Sequence, residues 1–181
     1  MKITIIHGAQ TGVDRGAHEA ACGIEGWSID GYMPKNGRDE AGAIPEVIAR
    51  CLRLCPRDGY GARTEMNVAI ADALLVVVSD KDDPRATPGT AKTIDLAVAR
   101  RLRRMIVDPT ADDRRIAIWI RELTRQQLSL DGTSTPLRLM IAGPRQSKWA
   151  AARVKTAALL RRVSIELWKI EHGDRLQRST P

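Results

Sequence analysis

Residues 73–79 read ALLVVVS, a near-continuous apolar run rich in β-branched side chains. A strand with one wet face alternates apolar and polar residues, whereas an unbroken run suits a central strand covered on both faces of a parallel sheet. Outward from it, β-type runs at 2–6, 27–33, 104–108 and 137–142 alternate with helical periodicity at 13–22, 44–55, 62–71, 90–103, 112–127 and 146–171. Strands alternating with helices predict βαβ units, and so an α/β fold: a three-layer, doubly wound, mainly parallel sheet.

The chain has 181 residues, 43% hydrophobic and 28% charged, which fits one globular domain, here 1–172, followed by a mobile tail at 173–181. Aromatic residues make up 3% and Phe is absent, so the core falls to Ala, Val, Ile and Leu, with the four Trp expected at helix surfaces or subunit contacts. No apolar run approaches the roughly 20 residues of a membrane span, and the N-terminal residues lack a secretory pattern, so a cytoplasmic protein is expected. Cys22, Cys51 and Cys55 are odd in number, which fits reduced core or boundary thiols in that compartment. Neither they nor His7, His18 and His172 have metal-site spacing, and no protein-ligated metal is expected.

The net charge is +7, and residues 138–181 carry all of the excess, with ten Lys or Arg against three Asp or Glu. A basic C-terminal helix admits two readings: a solvated or ligand-facing surface, or contact with single-stranded nucleic acid.

In open parallel sheets ligands bind beyond the carboxyl ends of the strands. Three strand-to-helix turns fall there. The first, HGAQTGVD at 7–14, offers Gly8 and Gly12 for close backbone approach and Gln10 and Thr11 as hydrogen-bonding groups, with Asp14 and Arg15 at the helix start. Asp14 by itself reads as a helix cap. The second, TPGTAKT at 87–93, sets Gly89 and Thr90 at a helix N-terminus, where backbone N–H groups favour phosphate. The third, AGPRQSKW at 142–149, brings Arg145, Ser147 and Lys148. Arg63 and Asn67, four apart in YGARTEMN, share a helix side, and MPKNGR adds Lys35 and Arg38. Together these predict a cleft for an anionic, phosphorylated small molecule. Neither GxGxxG nor a Walker A loop is present.

The segments GAQTGVDRGAHEAA, GYMPKNGRDEAGAIP, YGARTEMNVAIADALLVVVS, PGTAKTIDLAVARRL and LRLMIAGPRQSK, in that order, resemble the family called putative molybdenum carriers, the circularly permuted YpsA-like branch of the SLOG superfamily. The resemblance implies a Rossmann-like sheet related to the lysine-decarboxylase-like phosphoribohydrolases, with the Gly-Pro-Arg unit moved to the chain's end. It also implies ligand contacts from Gly8, Gln10, Thr11, Gly12, Asp14, Arg15, Lys35, Arg38, Arg63, Asn67, Gly89, Thr90, Thr93, Gly143, Arg145, Ser147 and Lys148. The implied ligand is the molybdenum cofactor, a pterin bearing a phosphate, or a nucleotide. A homo-oligomer is implied as well, with Trp149 and Trp168 of the last helix as candidate contacts. Two positions depart from the pattern: Ala9 replaces a glycine, and Pro88-Gly89 replaces Gly-Gly. In the phosphoribohydrolases a glutamate serves N-glycosidic cleavage, and Thr93 occupies its place, a hydroxyl that cannot supply a carboxylate. The expected function is a binding protein or sensor. The alternatives are a nucleotide hydrolase or phosphoribohydrolase using Asp14 and Arg145, and a single-stranded nucleic-acid binder.

Overall fold

The computed structural model describes residues 1–80, 83–131 and 135–178. Lys81 and Asp82, in the loop the Gly-, Pro- and charge-rich segment 80–89 predicts after the ALLVVVS strand, and residues 179–181 of the expected tail, lie outside the described residues. Five parallel strands form the main sheet: β1 (Ile3–Ile6), β2 (Trp27–Asp30), β7 (Ala73–Val77), β8 (Arg103–Val107) and β9 (Leu137–Ala142), in the order β2-β1-β9-β7-β8. Every pairing within it is parallel. The ALLVVVS strand is β7, next to one edge strand, and all five of its residues are buried.

Strand side chains alternate between two cores. Ile3, Ile5, Leu75, Val77, Leu139 and Ile141 face α1 (Val13–Cys22), α5 (Asp113–Asp131) and α6 (Ala152–Arg178). Ile6, Leu74, Val76 and Met140 face α3 (Tyr60–Ile70) and α4 (Pro88–Ala99). The result is the expected three-layer, Rossmann-like sandwich, with the aliphatic core that a chain without Phe requires. Trp27, Trp119 and Trp149 pack on the edge of the first core, while Trp168 is 60% exposed.

Two segments differ from the sequence reading. Residues 44–55 form only one helical turn, α2 (Glu46–Ala49), before the short strand β6 (Arg53–Leu54). The Arg53 N–H donates to Gly31 O and the Cys55 N–H to Met33 O, so parallel pairing with β3 (Tyr32–Met33) overrides local helical periodicity. The predicted strand at 27–33 breaks at Gly31, where φ is 137° and an added Cβ would lie 2.3 Å from His7 O. Segment 33–43, rich in Gly, Pro and charge and without periodicity, reads as a loop, and it carries a short hairpin of two two-residue strands, β4 (Arg38–Asp39) and β5 (Gly42–Ala43).

The last helix starts at Ala152 rather than 146, and Trp149 precedes it. Its basic residues bind neighbouring helices: Arg153 and Arg161 reach Glu19 at 3.1 and 2.9 Å, and Arg162 reaches Asp113 at 2.8 Å. The C-terminal charge excess thus partly fastens α6 to α1 and α5. The Met1 ammonium lies 3.0 Å from Glu171, which places the far end of α6 beside the start of β1. That proximity is what a circular rearrangement of a β9-α6-β1 unit needs.

Candidate functional site

The first turn holds itself together. Asp14 lies inside α1, not at its cap; Gly12 takes the cap position. The Asp14 carboxylate accepts the Gly8 and Gln10 N–H groups, each at 3.0 Å, while Thr11 N–H donates to the Gln10 side chain at 2.9 Å and Val13 N–H to Pro144 O at 3.2 Å. Donors that the sequence offers to an anion are therefore occupied by the chain itself. Arg63 locks the arrangement: its Nη1 donates to Gly8 O at 2.7 Å and sits 3.6 Å from Asp14 Oδ2. Burial pushes the Asp14 carboxyl up from its ordinary pKa, against the opposing pull of Arg63, the two N–H groups and Arg15. Ala9, in the glycine's place, adopts φ 61°, a left-handed conformation that costs a non-glycine residue roughly 1–2 kcal/mol.

Beneath this turn lies a buried histidine pair. Ala9 N–H donates to His7 Nδ1 at 3.1 Å, so His7 carries its proton on Nε2 and donates it to His18 Nδ1 at 3.2 Å. His18 Nε2 is buried without a partner. Burial, reinforced by His18, Arg63 and Arg15, lowers the His7 pKa from 6.5 to about 3. An imidazole whose folded pKa is depressed stabilises the fold above pH 6.5, and that stability is lost as pH falls from 6.5 toward 3. Urea midpoints between pH 7.5 and 4.5 are expected to fall with pH in the wild type and less steeply in His7→Gln. Equal slopes in the two proteins would remove His7 as the cause.

A cleft of about 320 Å³ opens beyond the carboxyl ends of β1, β9 and β7. Of the candidates from sequence, Gly8, Gln10, Asp14, Arg63, Asn67, Gly89, Thr90, Thr93, Gly143, Arg145 and Lys148 line it. Several have structural duties. Asn67 clamps Tyr32, accepting its N–H at 2.7 Å and donating to its carbonyl at 3.0 Å. Thr93 Oγ1 donates to Gly89 O at 2.9 Å. Gly143 admits close packing, since a Cβ there would lie 2.1 Å from Val77 O.

Thr11, Gly12, Arg15, Lys35, Arg38 and Ser147 do not line the cleft. Gly12, at φ 76°, lets the first and third turns touch, a Cβ meeting Pro144 O at 2.5 Å. Arg15 pairs with buried Asp39, and Lys35 lies at the surface 3.1 Å from Asp58. Thr11 and Ser147 both hydrogen-bond Glu40.

The helix start that lines the cleft is that of α4. Thr87 caps it, Pro88 occupies the first turn, and Gly89 has open space around its Cβ position. Thr90 Oγ1 lies 2.7 Å from Thr87 Oγ1. The cleft wall also contains Tyr60, Lys92 and Met140, none of which the sequence reading selected. Tyr60 presents a ring 48% exposed at the start of α3, two residues before the helix predicted at 62–71, and Lys92 lies one turn into α4. Among the described residues no group of three or more His, Cys, Asp or Glu side chains is placed to hold a metal ion. No described helix is long and apolar enough to cross a membrane.

Comparison with known proteins agrees with this fold. A crystal structure from Syntrophus aciditrophicus SB, named "Putative molybdenum carrier protein", is similar to the chain at a TM-score of 0.72 and 28% identity, over 90% of this chain and 94% of that one. No curated protein matches the chain. The model of the circularly permutated YpsA SLOG family matches residues 5–164, and the chain belongs to that family.

Proposed function

We propose that the protein is a cytoplasmic binding protein or sensor for a phosphorylated heteroaromatic small molecule, a nucleotide or a pterin, held in the cleft between α3 and α4. The observation that carries this reading is the start of α4. Pro88 has no N–H, Thr90 N–H donates to the Thr87 side chain at 3.4 Å and Ala91 N–H to Thr87 O at 2.9 Å, so this helix end offers the Gly89 N–H with a clear approach, and Lys92 stands on the same wall. Tyr60 provides a face for ring stacking, and Met140 and Ala142 give the floor apolar surface.

The molybdenum cofactor is a specific candidate, as cargo, because the similar Syntrophus protein carries that name. The cleft suits its pterin and phosphate, so these groups, rather than metal ligands from the chain, would hold it. The hydrolase reading is less well supported. Thr93 lacks a carboxylate, and Asp14 is engaged by two backbone N–H groups and Arg63. Nucleic-acid binding through α6 is weakened by the ion pairs that occupy Arg153, Arg161 and Arg162. Assembly into a homo-oligomer through the exposed Trp168 and Ile165 belongs to the same proposal.

The experiment is an equilibrium titration of wild-type and Tyr60→Ala proteins with nucleoside 5′-monophosphates and a pterin phosphate. Loss of the ring is expected to weaken a bound heteroaromatic by about tenfold, the scale of one aromatic stacking contact. Unchanged affinity in Tyr60→Ala would exclude stacking as the mode of recognition.

A further inference from the structure

The β4-β5 hairpin places a carboxylate where an anionic ligand group would sit. Glu40, between the two strands, accepts hydrogen bonds from Thr11 Oγ1, Ser147 Oγ and Ser147 N–H, the last at 3.0 Å, and lies 3.1 Å from Arg145 Nε. Its side chain is 18% exposed. Burial pushes the Glu40 pKa up, but the bonds from Ser147 and Thr11 and the Arg145 charge outweigh it, so the group stays ionised below the usual carboxylate range.

A guanidinium, a backbone N–H and two hydroxyls converging on one point are the donor set of an oxyanion site. Four donors exceed what a surface latch needs, and they match the several acceptor oxygens of a phosphate as well as those of a carboxylate. The pocket borders the cleft, since Arg145 and Gln10 belong to both: Gln10 also accepts the Glu40 N–H at 3.3 Å.

The occupant is held by a weak element. The hairpin has two residue pairs, Arg38 with Ala43 and Asp39 with Gly42, and Gly37 and Gly42 have left-handed φ values of 64° and 118° with open space around them. Two paired strands of that length have little stability of their own. Beyond these pairs the hairpin is held by the Arg15–Asp39 ion pair, the Ile44 N–H bond to Gly37 O at 2.9 Å, buried Ile44 at its base and Glu40 at its tip.

We propose that Thr11, Arg145 and Ser147 form a second oxyanion subsite, which Glu40 fills in the free protein and a phosphate group of the ligand takes over by displacing the hairpin tip. The subsite deepens the cleft reading, giving a ligand with two anionic groups, such as a nucleoside diphosphate, two anchors: one at the start of α4 and one in the place of Glu40. It also makes the hairpin a competitor tethered at high effective concentration, which lowers the apparent affinity of the free protein.

The test uses inorganic phosphate as the probe, titrated by calorimetry into wild type, Glu40→Ala, Glu40→Gln and the double variant Glu40→Ala/Arg145→Ala. Removing the tethered carboxylate is expected to tighten phosphate binding at least tenfold in Glu40→Ala, and the double variant is expected to lose the gain. Glu40→Gln keeps the hairpin's shape without the charge and should show an intermediate gain, which covers the case in which the alanine variant does not fold. Phosphate affinity no higher than wild type in both single variants would overturn the proposal, as would a gain that survives loss of Arg145. A gain in phosphate affinity with no nucleotide or pterin binding would sustain the subsite and sink the ligand reading. The reverse pattern would sink the subsite alone.

Discussion

Gly143→Ala is expected to lower the melting temperature by about 6–12 °C, the equivalent of roughly 3 kcal/mol in a domain of this size. The added methyl would lie 2.1 Å from Val77 O and 2.7 Å from Val13 Cγ2. Val77 O is backbone of a strand next to β9, and it cannot retreat without breaking the ladder that joins Ala73–Val76 to Leu139–Ala142. Overpacking of this kind costs about 1–3 kcal/mol even when side chains alone must move. Gly89→Ala is the control, because nothing lies within 4 Å of its Cβ position and alanine favours a helix. It should melt at or above the wild-type temperature. Two glycines of one cleft therefore have opposite expected effects, and equal melting shifts in the two variants would refute the division.

Arg63→Met is expected to cost about 3–5 kcal/mol at neutral pH, the range for removing one partner of a buried ion pair. Arg63 and Asp14 side chains are only 13% and 12% exposed, and methionine restores the apolar stem without the charge. The Asp14 carboxylate would then keep two N–H donors but no nearby contact cation on Oδ2. Protonation relieves that burden, so the variant should recover stability, relative to wild type, as pH is lowered from 7 to 5. Adding Asp14→Asn should return part of the loss, because the neutral amide oxygen still accepts both N–H groups. A single variant within 1 kcal/mol of wild type would mean that the first turn does not depend on the Arg63 clamp.

The layering was legible because it rests on local signals. The unbroken run at 73–79 implies a strand buried on both faces, and Gly-bearing turns after β1, β7 and β9 mark the carboxyl edge. Strand order was not, since the insertion of β9 between β1 and β7 is set by packing across more than 60 residues of chain. The 44–55 segment shows the same limit: Ile48 and Leu52 suit one helix face, yet Arg53 and Cys55 bond to the backbone of 31–33.

For the site, the start of α4 was legible in Pro88, Gly89 and Thr90. Asp14, Arg63 and Asn67 line the expected cleft, but their bonds to backbone of other turns and strands were not legible, because those partners are brought near only by the fold. Glu40 was invisible to a pattern of donors, since a carboxylate filling an anion site carries the wrong sign. Its neighbour Asp39, buried against Arg15, was hidden for the same reason.

The proposed hold on the ligand is a phosphate at the start of α4, and its test is the affinity of the wild-type protein for one ligand with and without that group. A nucleoside 5′-monophosphate or a pterin phosphate is expected to bind at least tenfold more tightly than its dephosphorylated form, with the difference shrinking as salt rises. Equal affinity for the two forms, or no binding by any phosphorylated nucleotide or pterin, would contradict it.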